Sequence, residues 1–508
     1  MPTVEHLDVL IIGAGLSGIG AAHHLKETHP GRSVALLDMR DDLGGTWNLF
    51  RYPGIRSDSD MHTLGFGFRP WDEARTLADG PSILQYLRDT AAEDGTVEKI
   101  RFGHKVISAA WSSEDATWTV TCEVGGDTVE LTCNFLLNCS GYYRYDEGFT
   151  PHFEGREDFK GEIIHPQHWP EDFDYTGKRV VVIGSGATAI TLVPAMVEKA
   201  EHVTMLQRSP TYVTSLPYED PVALKLRKVL PKKAAFGAVR WKNVMVQLAV
   251  YQLSQRRPAQ MKKFFIANAA KQLPKGFDVK KHFTPKYNPW DQRLCVVPHG
   301  DLFKAIKRGD ATIATDRIKT FTETGLELES GDTLDADVII TATGLNLLLF
   351  GGIEFSVDGT PVDMPDAVAY KGLMLSGVPN FAFAIGYTNA SWTLKADLVG
   401  GYIGRLLSHM DKRGTKIATP QLDGDIETQP LLDFSAGYVQ RSLGVLPKQG
   451  KKAPWTLKMN YPLDLAAFKF GKVDDGTMRF TKPAKKMAPA SPSSNGKAPT
   501  ATKTSKAA

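Results

Sequence analysis

Two glycine-rich loops are the residues of this chain whose spacing most directly implies chemistry. The first, G-x-G-x-x-G, places Gly13, Gly15 and Gly18 directly after the apolar run 9–12. In a strand–turn–helix unit the first glycine makes the tight turn, the second admits a pyrophosphate, and the third lets the helix pack on the strand. Asp38 follows about 20 residues later, where a carboxylate accepts hydrogen bonds from ribose hydroxyls. This pattern predicts an FAD site.

A second loop of the same kind lies in the middle of the chain, after the apolar run 180–183. The next apolar run, 203–206, ends in a basic residue, Arg208, rather than in an acid. An acid there would repel a 2′-phosphate, whereas Arg208 can pair with one in a bidentate manner. The second site is therefore predicted to bind NADPH, with alanine in place of the third glycine. Its predicted contacts are Gly184, Gly186, Thr188, Ala189, Arg208 and Ser209.

The segment between the two loops carries the pattern F-x-G-x-x-x-H-x-x-x-W-P. Its fixed positions are Phe159, Gly161, His165, Trp169 and Pro170. The pattern resembles the fingerprint of the type I Baeyer–Villiger monooxygenases, which use FAD and NADPH to insert oxygen beside a carbonyl. Flavin N- and S-monooxygenases usually end their version in Tyr or Phe without Trp-Pro. The resemblance therefore favours the Baeyer–Villiger branch and covers roughly residues 5–480.

This resemblance implies a reactive group of residues. In the family a Y-P-G-x-R-x-D segment, here residues 52–58, runs beside the flavin ring, and its aspartate contacts a catalytic arginine. Asp58 takes the aspartate's place, and Arg293 stands where the family's arginine stands. A permanent cation in a dry pocket would stabilise both the C4a-peroxyflavin anion and its adduct with a ketone. The glycine-rich stretch before this segment adds flavin contacts at Gly45, Thr46 and Trp47.

His165 has a different expected role. In the family the fingerprint lies at the hinge between the FAD and NADPH domains, so we expect His165 to couple domain movement to cofactor position through hydrogen bonds. Direct proton transfer and plain packing remain alternatives. Many family members have Lys where Gln292 stands, which leaves Arg208 with more of the NADPH selectivity. Residues 288–295 and 342–346 look like the branch containing ethionamide-activating monooxygenases, whose members oxidise ketones and also sulfur.

Other functions are compatible with two dinucleotide loops. Disulfide reductases need a paired-cysteine motif, but the four cysteines show no C-x-x-C spacing, which also argues against a metal site and a disulfide framework. Two alternatives stay open: a flavin N/S-monooxygenase without ketone chemistry, and a non-oxygenating flavoprotein reductase. The positive charge excess lies in the C-terminal tail, so it is no sign of nucleic-acid binding. The predicted partners are a ketone or sulfide and molecular oxygen, and no oligomeric state is predicted.

Each glycine-rich loop lies between a predicted strand and a predicted helix, and this repeated strand–loop–helix order predicts an α/β fold with two Rossmann-like domains. The FAD domain is expected to be discontinuous, because a similar turn ends the strands near residues 136–141 and 337–344. A lysine-rich helical insertion, broken by Pro231 and Pro258, is expected to cover the substrate side, with weak membrane-surface contact as the minor alternative. Without a leader or a membrane-spanning run, the chain is expected to be cytoplasmic. The predicted domains are 1–150 (FAD, first part), 151–335 (NADPH, with the insertion at about 218–283), 336–480 (FAD, second part) and 481–508 (disordered basic tail).

Overall fold

The computed structural model describes residues 4–432 and 434–483, which form two α/β halves. The first stretch contains β1 (Glu5–Ile12), α1 (Leu16–Thr28), β2 (Val34–Leu37), α2 (Thr46–Leu49), α3 (Met61–Leu64), α4 (Gly80–Glu93), β3 (Ile100–Arg101), β4 (Lys105–Ser112), β5 (Thr117–Val124), β6 (Asp127–Asn138) and β7 (Tyr143–Gly148).

The middle stretch follows without a break. It contains β8 (Glu162–Ile164), β9 (Arg179–Ile183), α5 (Ala187–Met196), β10 (His202–Gln207), β11 (Val213–Leu216), α6 (Pro221–Val229), α7 (Lys232–Arg256), α8 (Pro258–Ala270), α9 (Val279–His282), β12 (Cys295–Pro298), α10 (Asp301–Arg308), β13 (Ala311–Thr315), β14 (Ile318–Thr322), β15 (Gly325–Leu328), β16 (Thr333–Asp335) and β17 (Val338–Thr341).

The last stretch returns to the first half. It contains β18 (Leu345–Leu347), β19 (Glu354–Val357), β20 (Thr360–Pro361), β21 (Ala369–Tyr370), β22 (Met374–Leu375), β23 (Phe381–Phe383), α11 (Trp392–Arg413), β24 (Ile417–Pro420), β25 (Thr428–Pro430), α12 (Gly437–Gln440), β26 (Lys448–Gly450), α13 (Tyr461–Phe470) and β27 (Met478–Thr481). Short 3-10 turns occur at Val97–Lys99, Arg156–Asp158, Pro166–His168, Leu349–Gly352 and Leu443–Val445.

The first-loop half is built around the sheet that contains β1. Its strand order is β20-β19-β4-β5-β6-β1-β2-β3, and β23 pairs in parallel with β6. Strands buried on both faces read as continuous apolar runs, which is why the runs 9–12 and 34–37 predict β1 and β2. Because β19 and β23 come from the end of the chain, this half is discontinuous, as predicted.

Helix α1 packs closely against α11. A Cβ atom added at Gly404 of α11 would lie 2.6 Å from the Thr28 Oγ1, and one at Gly400 would lie 2.8 Å from the His24 ring. Small residues on α11 therefore let the two helices approach, and they cover one face of the β1 sheet. This contact joins the first and last stretches of the chain.

The second-loop half is built around an all-parallel sheet. Its strand order is β13-β10-β9-β17-β8, and helices α5 and α10 pack against it. The predicted strands 180–183 and 203–206 lie within β9 and β10. The two halves are joined where β7 and β18 run antiparallel, with Gly148 opposite Leu345.

The helical insertion consists of α6 to α9 and lies between β11 and β12, which pair with each other. Pro231 immediately precedes α7 and Pro258 is the first residue of α8, the positions at which a helix tolerates proline best. Helix α7 rests on the first-loop half: Arg240 Nη1 donates to the carbonyl oxygens of His62 at 2.8 Å and Gly65 at 2.7 Å. The insertion thus bridges both halves.

The predicted tail lies mostly outside the described residues, which end at residue 483. Thr481, the first residue of the predicted tail, pairs with Ile417 in the β24–β27 ladder. Among the described helices, none is long and apolar enough to cross a membrane.

Candidate active site

A cavity of ≈ 1410 Å³ lies between the two halves and is bordered by both glycine-rich loops. This volume is above the roughly 300–1,000 Å³ usual for one drug-sized ligand, so it suits more than one. Most of the predicted site residues line it: Gly13, Gly15, Asp38, Gly45, Thr46, Trp47, Asp58, Gly184, Gly186, Thr188, Arg208, Ser209 and Arg293.

Three predicted site residues lie behind the cavity wall instead. Gly18 faces the first glycine of its loop, since an added Cβ would lie 1.9 Å from the Gly13 carbonyl oxygen. Ala189 is fully buried in the core of the second-loop half. His165 contacts the strands that join the halves. These residues shape the wall from behind, whereas the thirteen above can contact a ligand.

The first loop leaves the N-terminus of α1 open to the cavity. Gly15 caps the helix without a side-chain hydrogen bond, and its first turn holds no acid, whereas Asp79 caps α4 through the Ser82 N–H. The uncapped N–H groups and the helix dipole suit a diphosphate. A Cβ on Gly13 would lie 2.5 Å from the Cys139 carbonyl oxygen, so this turn requires glycine.

Asp38 stands at the end of β2 on the cavity wall. Its carboxylate accepts hydrogen bonds from the backbone N–H groups of Ala14 at 2.8 Å and Arg40 at 3.0 Å. Burial raises the pKa of Asp38, and these two N–H groups oppose that rise. The contacts fix the carboxylate beside the first loop, where the predicted ribose contact requires it.

The second loop repeats this arrangement at α5. Gly186 caps the helix without a side-chain hydrogen bond, and a Cβ added there would meet no atom within 4 Å. Arg208 is exposed at the end of β10. The pairing of β10 with β13 brings a second exposed arginine, Arg317, to the same sheet edge and cavity rim. The sequence alone gave no sign of Arg317, because its position depends on that pairing.

Arg293 and Asp58 meet inside the cavity. Arg293 Nη1 lies 3.6 Å from Asp58 Oδ2, and the two side chains are 37% and 35% exposed. The separation makes this an ion pair rather than a direct hydrogen bond. Desolvation lowers the pKa of Arg293, but the hydroxyl oxygens of Tyr438 and Tyr142, which become negative when they ionise at high pH, and the Asp58 carboxylate outweigh it and hold that pKa above the ordinary value.

Three tyrosines around Arg293 were missed by the sequence analysis. Arg293 Nη2 lies 3.5 Å from the Tyr142 hydroxyl, which is 3.0 Å from the Tyr143 hydroxyl. Burial raises the pKa of Tyr438 to about 12, so its phenol stays neutral at physiological pH. Tyr142 stacks on Trp392 with ring centroids 5.1 Å apart. Neutral donors beside a permanent cation can stabilise negative charge that develops on an oxygen.

The segment 50–58 carries Asp58 and touches both halves. Its backbone pairs with the first-loop half, where Ser57 N–H donates to the Ala78 carbonyl oxygen at 3.0 Å. Its aromatic residues Phe50 and Tyr52 lie instead in the apolar cluster of the second-loop half. A Cβ at Gly54 would lie 2.6 Å from Ala195 of α5. The segment is therefore held from both sides.

His165 contacts both strands that join the halves. Its Nε2 lies 3.2 Å from the Gly344 carbonyl oxygen, and its Nδ1 accepts from the Gln167 N–H at 3.2 Å. A Cβ at Gly148 would lie 2.0 Å from the His165 ring. Burial lowers the pKa of His165, which fits a neutral ring that donates through Nε2 and accepts through Nδ1. Its place behind the cavity wall favours positioning over direct proton transfer.

Phe159, Gly161 and Trp169 of the fingerprint pack against neighbouring residues and do not line the cavity. Phe159 lies in a buried cluster with Phe321, and Gly161 is required because a Cβ would lie 2.3 Å from the Asp337 carbonyl oxygen. Trp169 packs edge-on against Phe173 and Tyr175. These contacts fix the segment from which His165 projects.

Comparisons with known proteins match most of the chain to flavin-binding monooxygenases. The flavin-binding monooxygenase-like family model matches residues 68–357, and an NAD(P)-binding Rossmann-like domain model matches residues 11–80. The FAD-containing monooxygenase EthA of Mycobacterium tuberculosis is 57% identical over 480 residues, covering 94% of this chain and 98% of that protein. The probable FAD-binding monooxygenase AlmA of Acinetobacter baylyi is 50% identical over 482 residues, covering 94% and 97%.

Solved structures share the fold. An oxidized steroid monooxygenase bound to NADP superposes with a TM-score of 0.73 at 22% identity and covers 94% of this chain and 100% of that chain. The cyclohexanone monooxygenase from Rhodococcus sp. Phi1 bound to NADP+ gives a TM-score of 0.74 at 19% identity, with the same coverage. At this identity the similarity concerns the fold.

Proposed function

Because this chain belongs to the flavin-binding monooxygenase-like family, we propose that it is a Baeyer–Villiger monooxygenase that converts ketones to esters or lactones. The family resemblance inferred from the fingerprint is confirmed, and the chain is a flavin-dependent monooxygenase whose cofactors are FAD and NADPH. The proposed reaction consumes a ketone, O₂, NADPH and a proton. It yields an ester, NADP⁺ and water, with one oxygen atom entering the C–C bond beside the carbonyl.

The observation that carries this proposal is the Arg293–Asp58 pair, placed between two nucleotide loops and lined by tyrosines. Bound FAD, once reduced by NADPH, supplies the activation of molecular oxygen. The open N-terminus of α1 would hold the FAD diphosphate and Asp38 its ribose. The N-terminus of α5 would hold the NADPH diphosphate, and Arg208 with Arg317 its 2′-phosphate.

Arg293 supplies the charge that ketone chemistry needs. When an oxygen nucleophile adds to a ketone, the former carbonyl oxygen becomes an anion, and a fixed cation nearby lowers that barrier. Asp58 keeps the guanidinium in place and compensates its charge while no anion is present. Tyr142 and Tyr438 offer neutral donors to the same region.

Sulfoxidation is proposed as a second activity of the same site. Oxygen transfer to a sulfide forms no tetrahedral alkoxide, so it depends less on Arg293. An enzyme that oxidises only nitrogen or sulfur would therefore have little need of a cation in the cavity with tyrosines around it. This contrast favours the ketone reaction over the flavin N/S-monooxygenase alternative.

The test combines purified protein, NADPH and isotopically labelled O₂ with a panel of ketones and, separately, with thioanisole. Products are identified by mass spectrometry, and consumption of NADPH is followed in parallel. Labelled esters or lactones support the proposal. Labelled sulfoxide without any ester would overturn it in favour of the N/S-monooxygenase. Hydrogen peroxide as the sole product across the panel also counts against it.

A further inference from the structure

Two charged side chains of segment 50–58 point to the second-loop half. Asp58 faces Arg293, and two residues earlier Arg56 faces Asp301, the first residue of α10. Arg56 Nη1 donates to Asp301 Oδ2 at 2.8 Å. Arg56 forms an isolated β-bridge with Asp79, and where backbone is extended in this way residues two apart project to the same side. Arg56, like Asp58, lines the cavity.

The Arg56–Asp301 pair is largely withdrawn from solvent, with the side chains 10% and 23% exposed. Burial raises the pKa of Asp301 in spite of the neighbouring guanidinium. Among the described residues, Arg56 Nη2 is buried without a hydrogen-bond partner. Desolvation of such a pair commonly offsets its attraction, so the pair adds little to the stability of the fold. Its presence calls for another explanation, and its location next to Asp58 provides one.

The two pairs have opposite polarity. The segment contributes the cation to one pair and the anion to the other, and the second-loop half supplies the complementary charges. A shift of the segment by two residues would bring Arg56 toward Arg293, and like charges repel. The arrangement therefore specifies one register of segment 50–58 against the second-loop half.

We propose that Arg56 and Asp301 form a positioning pair that fixes Asp58, and through it Arg293, so that NADPH consumption stays coupled to oxygenation. The inference rests on the proposed role of Arg293 in stabilising the negatively charged activated oxygen, which sulfide and ketone oxygenation share, and not on its role toward the alkoxide of the ketone reaction. Arg56 and Asp301 act on the site through the segment, and the close approach of Gly54 to α5 holds the segment on the N-terminal side of Arg56. Displacement of a catalytic group by about 1 Å costs on the order of 100-fold in rate, so a loosened segment should lower the amount of oxygenated product measurably.

The test uses the holoenzyme and four variants: Arg56→Met, Asp301→Asn, the double variant Arg56→Met/Asp301→Leu, and Arg56→Lys. Arg179→Met is the matched control, because it removes an Arg–Asp pair with an Nη2–Oδ1 distance of 2.9 Å at the opposite edge of the β9 sheet. The readouts are hydrogen peroxide and thioanisole sulfoxide formed per NADPH, the melting temperature, and the Kd for NADP⁺ measured by equilibrium titration.

We expect Arg56→Met and Asp301→Asn to lower sulfoxide per NADPH by about 10-fold or more, with matching peroxide release. The double variant should melt at or above the wild-type temperature yet stay uncoupled, because an apolar pair restores packing but not register. Arg56→Lys should recover most of the coupling, and Arg179→Met should match wild type. The Kd for NADP⁺ should change less than 3-fold, since the nucleotide loops are untouched.

Restored coupling in the double variant would overturn the positioning role, because stability alone would then explain the single variants. Unchanged coupling in Arg56→Met would overturn it as well. The probe is a sulfide, so these outcomes are independent of ketone chemistry. Absence of esters from the wild type would overturn the proposed function while leaving the positioning test intact.

Discussion

At the scale of single residues, Arg293 and the groups around it determine whether the cavity can stabilise negative charge on a reacting oxygen. Replacing Arg293 by Ala would remove the cation that we propose faces the developing alkoxide, so ketone oxygenation should fall by about 100–1,000-fold, or roughly 3 kcal/mol. Thioanisole oxidation should fall less, because it forms no alkoxide. Product formation at matched FAD occupancy gives the comparison, with the exposed Arg308→Ala as control. Equal losses on both substrates would contradict an alkoxide-specific role.

We expect coenzyme choice to depend on Arg208 and Arg317, which lie at the same edge of the β9 sheet and line the cavity. Arg208→Ala should raise the KM for NADPH by about 10-fold, the equivalent of one charge-assisted hydrogen bond, and leave that for NADH nearly unchanged. Adding Arg317→Ala should raise the KM for NADPH further. Initial rates with both coenzymes measure the effect. A parallel increase for NADH would show that neither arginine reads the 2′-phosphate.

His165 should make stability depend on pH. Its pKa lies below the ordinary 6.5, so the unfolded chain takes up this proton first as the pH falls. Unfolding free energy should then decrease below about pH 6.5, by at most about 1.4 kcal/mol per pH unit for this group. His165→Gln should flatten that slope, and denaturation midpoints between pH 7.5 and 5.5 would show it. The slope should not vanish, because burial also lowers the pKa of His29, His62 and His282.

The site residues that the sequence predicts and those that only the structure reveals differ in how the chain places them beside the cavity. Asp38 and Gly13 are recognisable because local chain geometry places them beside a ligand. Tyr438 and Arg317 carry no such signal, since they reach the cavity only through contacts between distant stretches. The Arg293–Asp58 contact was inferred from the family, and in the structure its atoms lie 3.6 Å apart. The chemical roles of these residues remain predictions.

At the scale of elements, α11 and α13 are joined by a fully buried ion pair. Lys395 Nζ lies 2.8 Å from Asp464 Oδ2, which also accepts from the Tyr387 hydroxyl at 2.8 Å. Lys395→Met alone should destabilise the protein by about 3–5 kcal/mol, because it leaves a buried carboxylate without its cation. Lys395→Met/Asp464→Asn should recover most of the loss, since Asn still accepts from Tyr387. Denaturation midpoints of the two variants give the comparison.

A midpoint of Lys395→Met equal to that of wild type would show that Tyr387 and solvent compensate the carboxylate. The exposed pair Lys319–Glu327 is the matched control, and Lys319→Met should change stability by less than about 1 kcal/mol.

Elements buried on both faces were the easiest to predict. The run 34–37 coincides with β2, whereas β1 begins earlier, at Glu5, because pairing with Leu131 of β6 extends it. Glu5 and His6, the exposed first residues of β1, precede the apolar run 9–12 and are polar, so the sequence does not mark them as strand. The end of β6 was predicted from the turn near residues 136–141, whereas β4, β5 and the first part of β6 were not, since β4 and β5 alternate in burial and lack a nucleotide motif. Sheet pairing, rather than local composition, determines these boundaries.

At the scale of the whole molecule, His165 lies where the two halves are joined. His165→Ala should still bind FAD and be reduced by NADPH, because the residue lies outside the cavity wall. It should release more hydrogen peroxide per NADPH, since a site that opens to water loses its activated oxygen. Peroxide and product yields measured beside a melting curve test this. A lower melting temperature with an unchanged product-to-peroxide ratio would identify His165 as a packing residue.

The path of the chain between the halves has a consequence for biosynthesis. Phe50 and Tyr52 complete the apolar core of the second-loop half, and they leave the ribosome before that half does. The second-loop half can therefore close as soon as β17 is made. Helix α1 must wait for α11, which ends at Arg413. At about 5–20 residues per second, the 72 residues (413 − 341) from the end of β17 at Thr341 to Arg413 take about 4–14 s, and for that time the face of α1 that packs on α11 stays uncovered. A nascent chain stalled in this interval would have a folded second-loop half, while the first-loop half would still expose the apolar surface that α11 covers. Exposed apolar surface of this kind is what chaperones bind.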